Sequence, residues 1–109
     1  MRAFVVEKIG DKEFKSGIQD ISTPKCGENE IVIKVTYSSL NYKDALSSIG
    51  NPGVTRKFPH VTGIDVAGTV YESTSNIFKT GERILVTGYD LGMNTNGGHA
   101  EFVKVPAAW

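Results

Sequence analysis

At 109 residues the chain has the length of one small domain, able to bury roughly two-thirds of the surface its unfolded form exposes. Hydrophobic residues make up 39% and charged residues 22%, and the net charge is zero with the charges scattered, so neither a nucleic-acid footprint nor a membrane-surface patch is expected. The lone cysteine, Cys26, excludes an internal disulfide and a Cys-rich zinc lobe.

The start, Met1-Arg2-Ala3-Phe4-Val5-Val6-Glu7, alternates like a strand and lacks the apolar run of a signal peptide. No later segment has the apolar length to span a bilayer, and a cytoplasmic protein without membrane or nucleic-acid partners is the expectation. Strands are predicted over Arg2–Lys8, Phe14–Asp20, Glu30–Leu40, Val66–Ser73, Arg83–Thr87 and Ala100–Val105. The clearest is Ile31-Val32-Ile33-Lys34-Val35-Thr36-Tyr37, where period-two alternation places Ile31, Ile33, Val35 and Tyr37 on one face. One short helix is predicted: Asn41 caps it, Asp44 meets the free N–H groups of its first turn, and Tyr42, Ala45, Leu46 and Ile49 follow at helical spacing until Gly50 stops it. Segments 50–62 and 89–99 are irregular. Many short strands, dispersed glycines and one short helix imply a mainly β fold, a compact and partly open barrel.

Residues able to do chemistry are few. A catalytic zinc needs three protein ligands and an open position. Cys26, His60 and His99 lie in no ligand-spacing motif and read as loop polar residues, so no zinc is expected. Asn41 serves as a helix cap, and its amide can also face the mouth of the domain. Tyr42 either packs its ring in the core or presents a neutral phenol that can donate to a developing enolate oxygen. Asp65, flanked by Ile64 and Val66, must find partners, either as an acceptor pinning a loop or as a cleft carboxylate that orders Arg56 or a water. Lys43 reads as a solvated helix-face charge, and Arg56-Lys57 as a basic pair on a loop. Gly97-Gly98-His99-Ala100-Glu101-Phe102 leads into a strand, so its glycines read as turn residues and not as a phosphate loop. Tyr89 and Met93 are weaker candidates for lining a substrate side.

Two segments carry a resemblance: Ser38-Ser39-Leu40-Asn41-Tyr42-Lys43-Asp44-Ala45-Leu46, and Phe58-Pro59-His60-Val61-Thr62-Gly63-Ile64-Asp65-Val66-Ala67-Gly68-Thr69-Val70. Together they resemble the zinc-independent quinone oxidoreductase and acryloyl-CoA reductase branch of the medium-chain dehydrogenase/reductase superfamily. Asn41 stands where zinc-dependent relatives carry a metal-binding Cys, and Gly63-Ile64-Asp65 where they read Gly-His-Glu. The resemblance extends over nearly all of the chain and implies a GroES-like catalytic domain, residues 1–109, of an NADPH-dependent reductase acting on a small-molecule substrate. It implies Asn41, Tyr42 and Asp65 as catalytic residues, with Tyr42, Asp44, Arg56 and Lys57 toward the cofactor. No Gly-x-Gly-x-x-Gly or Ala-x-x-Gly-x-Val-Gly segment is present, so the Rossmann domain is missing and the 109 residues alone should be inactive. An exposed cleft and unpaired strand edges then imply a homodimer or self-association. The alternative is a stand-alone GroES-like binding or scaffold module, whose expected mark is a mobile apolar loop; segment 50–56 is loop-like but has no strong apolar anchor.

Overall fold

Period-two patterning builds the strands that it predicts. The computed structural model describes residues 1–109 and contains seven strands and one helix. In chain order these are β1 (Arg2–Lys8), β2 (Phe14–Asp20), β3 (Glu30–Tyr37), α1 (Tyr42–Ser48), β4 (His60–Val61), β5 (Asp65–Ser73), β6 (Arg83–Thr87) and β7 (Phe102–Pro106). They form two antiparallel sheets, ordered β2-β1-β4 and β6-β5-β3-β7. Residues 99–101 bridge the sheets: Phe4 N–H donates to His99 O, Ala3 pairs with Ala100, and Val35 N–H donates to Glu101 O. That seam bends the sheets toward one another without closing them, and the predicted partly open, mainly β architecture is what results.

The four-stranded sheet supplies most of the main core, with Ile31, Ile33, Val66, Val70, Val86, Val103 and Val105, and Leu91 and Ala107 join it from outside the strands. Each large aliphatic side chain buried there contributes roughly 1.5–3 kcal/mol before conformational entropy is charged against it. Ala3, Val5 and Val61 form a smaller cluster across β1 and β4. The expected face of β3 holds from Ile31 through Val35, with Ile31 and Ile33 in the core and Val35 packed against it, and fails at Tyr37. Irregularities in the β3–β5 register between Val32 and Ile33 and between Val35 and Tyr37 break the alternation, so Val32 is buried while Tyr37 is exposed. β3 also ends at Tyr37 and not at Leu40, because Ser38 and Ser39 turn aside to bond Asp65. β4, two residues long, has too short a pattern for periodicity to reveal.

The helix forms as predicted, and the side it buries is the polar one. Asn41 N–H donates to Asp44 Oδ2 at 2.9 Å and fixes the first turn. Gly50, at φ +76°, ends the helix in the left-handed region that glycine adopts without a Cβ penalty. Asp44 and Ser47 are the residues α1 buries, with Ser47 Oγ lying 2.5 Å from the hydroxyl of buried Thr55. Of the residues at helical spacing, Tyr42, Ala45 and Ile49 are exposed, so Tyr42 does not pack its ring in the core. The inward polar groups are satisfied by hydrogen bonds, which makes their burial tolerable.

Candidate functional site

The N-terminal end of α1, the turn before it and the Gly63-Ile64-Asp65 loop converge on one network. Ser39 donates to Asp65 through both its hydroxyl (2.8 Å to Oδ1, 2.7 Å to Oδ2) and its N–H (3.0 Å), and the Asn41 amide donates to Asp65 Oδ2 at 3.2 Å. Ser38 Oγ–H adds a bond to the Asp65 carbonyl. Partial burial pushes the Asp65 carboxyl pKa up. The Ser39 hydroxyl and N–H, the Asn41 amide and nearby His99 outweigh that and hold it below the usual value, so it is ionised at neutral pH. The anticipated partner Arg56 is not among its contacts. Arg56 lies beyond the C-terminal end of the helix, its Nε–H donating to Pro52 O and its backbone N–H to Asn94 Oδ1.

Asp44 is 4% exposed, and its oxygens are spoken for. Oδ2 takes the Asn41 N–H, while Oδ1 accepts the N–H groups of Gly63 and Ile64 at 3.1 Å each. Gly63, at φ +113°, admits no side chain: an added Cβ would sit 2.6 Å from the backbone nitrogens of both Gly98 and His99. This close backbone approach, and not a phosphate cradle, accounts for the glycines around positions 63 and 98.

The reading of the two histidines as loop polar residues holds for His99 and is corrected for His60, which is a buried strand residue. His60 is 2% exposed on β4, with Nε2 2.8 Å from Gly92 O; since a carbonyl only accepts, Nε2 carries the hydrogen. Burial lowers its pKa, against the Gly92 carbonyl and the charges of Asp90 and Asp44, which favour protonation. His99, half-buried, spans Thr62 Oγ1 (2.7 Å from Nδ1) and Ser39 O (3.0 Å from Nε2), with Asp44 Oδ2 3.9 Å away. Ser39, Thr62 and His99 are the network members that residue-by-residue reading missed. Ser39 and Thr62 lay inside the two quoted segments, but nothing local marked them.

A cleft of about 380 Å³ opens beside this network, lined by Phe4, Leu40, Ala45 and Ser48 together with Asn41, Asp44, Thr62 and His99. Tyr42, next to Asn41 on α1, is 79% exposed with no protein partner for its hydroxyl and, like Asp65, is not among the residues that line the cleft. The structure therefore gathers Asn41, Asp44 and Asp65, leaves Tyr42 beside them with a free hydroxyl, and places Arg56 in a different hollow, with Pro52 and Asn94 as its partners. Tyr89 stacks on Trp109 at 5.6 Å and, like Met93, is absent from the cleft lining.

Metal-ligand geometry is not found at this cleft. No group of three or more His, Cys, Asp and Glu side chains is close enough to hold a metal ion. Burial and adjacent Glu72 push the Cys26 thiol pKa up, which disfavours the thiolate that a metal or an electrophile needs. No helix is long and apolar enough to cross a membrane. The 50–56 loop buries Val54 and Thr55 and offers no apolar run for a partner.

The alcohol dehydrogenase GroES-like domain family matches residues 27–109. The chain is 36% identical to the acrylyl-CoA reductase AcuI of Ruegeria pomeroyi over 93% of its own length and 32% of that protein's. It is 36% identical to YhfP of Bacillus subtilis (strain 168), a quinone oxidoreductase by name, over 99% of its length and 32% of that protein's. The crystal structure of YhfP with NAD bound superposes with a TM-score of 0.89 at 35% identity, covering 99% of this chain and 32% of that one. The Salmonella enterica yhdH oxidoreductase in complex with NADP superposes with a TM-score of 0.84 at 37% identity, over 94% and 31%. The chain thus spans about a third of the length of the relatives it matches. It belongs to the alcohol dehydrogenase GroES-like domain family.

Proposed function

We propose that this chain is the catalytic-domain portion of an NADPH-dependent, zinc-independent oxidoreductase that delivers hydride to a quinone or to an α,β-unsaturated thioester such as acryloyl-CoA. The observation that carries the reading is the Asn41–Asp65 hydrogen bond at the edge of the cleft. A catalytic zinc takes three protein ligands; here the carboxylate is engaged by Ser39 and Asn41, and no further donors converge on it. Charge growing on a substrate oxygen is then met by hydrogen-bond donors.

The cleft's apolar wall of Phe4, Leu40 and Ala45, with a few polar groups opposite, suits a flat nicotinamide ring. No glycine-rich strand-to-helix turn for a pyrophosphate borders this cleft, so the cleft itself fits the ring end of the dinucleotide. When bound, the reduced dinucleotide supplies the hydride. Tyr42 donates its phenolic hydrogen bond to the substrate oxygen as that oxygen gains charge, and Asn41, fixed by Asp65, borders the same space. Asp44 holds the Asn41 backbone and the Gly63 loop, a positioning role toward the ring. The hydride adds to the β-carbon, and a proton from solvent completes the reduction at the α-carbon. Arg56 and Lys57 take no part in this step. The cytoplasm, which supplies reduced dinucleotide, is the place proposed for it.

The test is consumption of reduced dinucleotide by the protein that carries this chain, with acryloyl-CoA, a quinone, and a saturated thioester as control. Turnover with an unsaturated acceptor, faster with NADPH than with NADH and unchanged by a chelator, is expected; the 109 residues alone should show none. No turnover with any acceptor, or a rate lost to chelation and restored by zinc, would sink the proposal.

A further inference from the structure

The hollow beyond the C-terminal end of α1 has a composition unlike that of the cleft just described. It has a volume of about 460 Å³ and is lined by the β1–β2 turn and by the loop that follows α1. Lys8 comes from the end of β1, Lys12 from the turn and Arg56 from the loop, while Asp11 is the one carboxylate in the lining. The chain's two ion pairs, His99–Asp44 and Lys104–Glu30, involve none of the three cations. A molecule of zero net charge thus gathers three unpaired positive side chains around one concavity.

Two features show that the concavity is preformed. Arg56 is held at its Nε by Pro52 O and at its backbone N–H by Asn94 Oδ1, which leaves both terminal guanidinium nitrogens without a protein partner. Phe14 and Phe58, both half-buried, meet at 4.9 Å between ring centroids with their planes 52° apart. Phe14 also lies against Gly50, where an added Cβ would run into the ring. An oriented guanidinium fork, two further ammonium groups and a fixed aromatic surface are what a phosphate beside a purine requires. The fork pairs with phosphate oxygens, the lysines add charge, and the base stacks on the ring.

From this arrangement we infer that the Lys8–Lys12–Arg56 hollow, floored by Phe14 and Phe58, binds a phosphorylated adenosine, the group found at one end of both coenzyme A and NADP. The inference does not depend on the reductase reading, because binding is measured with no hydride acceptor present.

The experiment is calorimetric titration of the protein with adenosine 3′,5′-bisphosphate, adenosine 2′,5′-bisphosphate and inorganic pyrophosphate. Saturable binding of at least one bisphosphate, tighter than pyrophosphate, is expected. Affinity should fall several-fold as ionic strength rises toward 1 M, where charges are screened within about 3 Å. Arg56→Gln should weaken it at least about tenfold, the loss of a charged hydrogen-bonding group. Lys12→Ala should weaken it less, and Lys79→Ala, remote from the hollow, not at all. Preference for the 3′,5′ isomer identifies the coenzyme A end and preference for the 2′,5′ isomer the NADP end; either supports the site. It is overturned by absence of saturable binding, by pyrophosphate binding as tightly as both bisphosphates, or by wild-type affinity in both Arg56→Gln and Lys12→Ala.

Discussion

The Asp44 carboxylate accepts the backbone N–H of Gly63 at 3.1 Å, and that bond ties the first turn of α1 to the loop carrying Asp65. With the Ile64 and Asn41 N–H groups also on this side chain, one buried acid organises three backbone donors. Asp44→Asn replaces one acceptor oxygen with a donor and leaves at least one of those N–H groups unpaired. A cost of about 2 kcal/mol is expected, seen as a fall of roughly 10 °C in the thermal midpoint. If Asp44 were instead a cofactor contact, the variant would melt with wild type and lose only dinucleotide affinity.

Burial of His60 makes stability depend on pH in a definite direction. Its pKa is lowered in the fold, so between that value and the unfolded value of 6.5 the unfolded chain binds a proton that the native chain does not. Stability therefore rises with pH through this window and is lost as pH falls below 6.5. Asp65, also lowered, adds a loss of the same sign, starting below 3.8. Asp90 and Asp44 face His60 and temper the effect without reversing it. In His60→Gln, whose amide can still donate toward Gly92 O, the urea midpoint should change less than in wild type between pH about 7.5 and about 5. Equal slopes in the two proteins would place the titration elsewhere.

Much of the fold was legible because strands declare themselves by period two. The predicted limits of β1, β2 and β6 coincide with the observed ones. Errors arose where a residue's partner lies far along the chain. Ser38 and Ser39 read as a continuation of β3, but Asp65, 26 residues from Ser39, draws them out of the sheet. Ala100 was assigned to the last strand, yet it pairs with Ala3 in the other sheet. The apolar residues of α1 have helical spacing, and spacing alone does not say which side faces inward. Tertiary bonds to Asp44 and Ser47 turn the polar side in. Of the candidate site, Asn41 and Asp65 could be singled out as chemically odd residues; Thr62 and His99, joined across 37 positions, could not.

Tyr42→Phe separates chemistry from structure. The ring is exposed and its hydroxyl has no protein partner, so stability should stay within about 0.5 kcal/mol of wild type. If the hydroxyl is the donor proposed for the developing charge, its loss in the protein carrying this chain should lower kcat about 100-fold, with a smaller effect on KM. Wild-type turnover together with wild-type NADPH affinity would remove Tyr42 from the proposed mechanism.

The 109-residue chain should associate with itself through the outward side of α1 and the turn before it. Leu40 is 87% exposed, and Tyr37, Tyr42 and Ile49 are also left in water. The polar side of the helix is committed through Asp44 to Gly63 and Ile64 and through Ser47 to Thr55, so these apolar groups cannot be buried by rotating α1. Strands β2 and β6 add edges with unpaired backbone groups, carrying exposed Ile18 and Leu85. Self-pairing covers the apolar side at the cost of rotational and translational freedom, so association should depend on concentration. Light scattering across a wide dilution series should show the average mass rising toward a dimer or beyond, and Leu40→Glu should shift that rise to higher concentration. If the mass instead stays monomeric throughout, this face is closed to self-pairing. If it rises equally in Leu40→Glu, association runs through the strand edges and not through the helix.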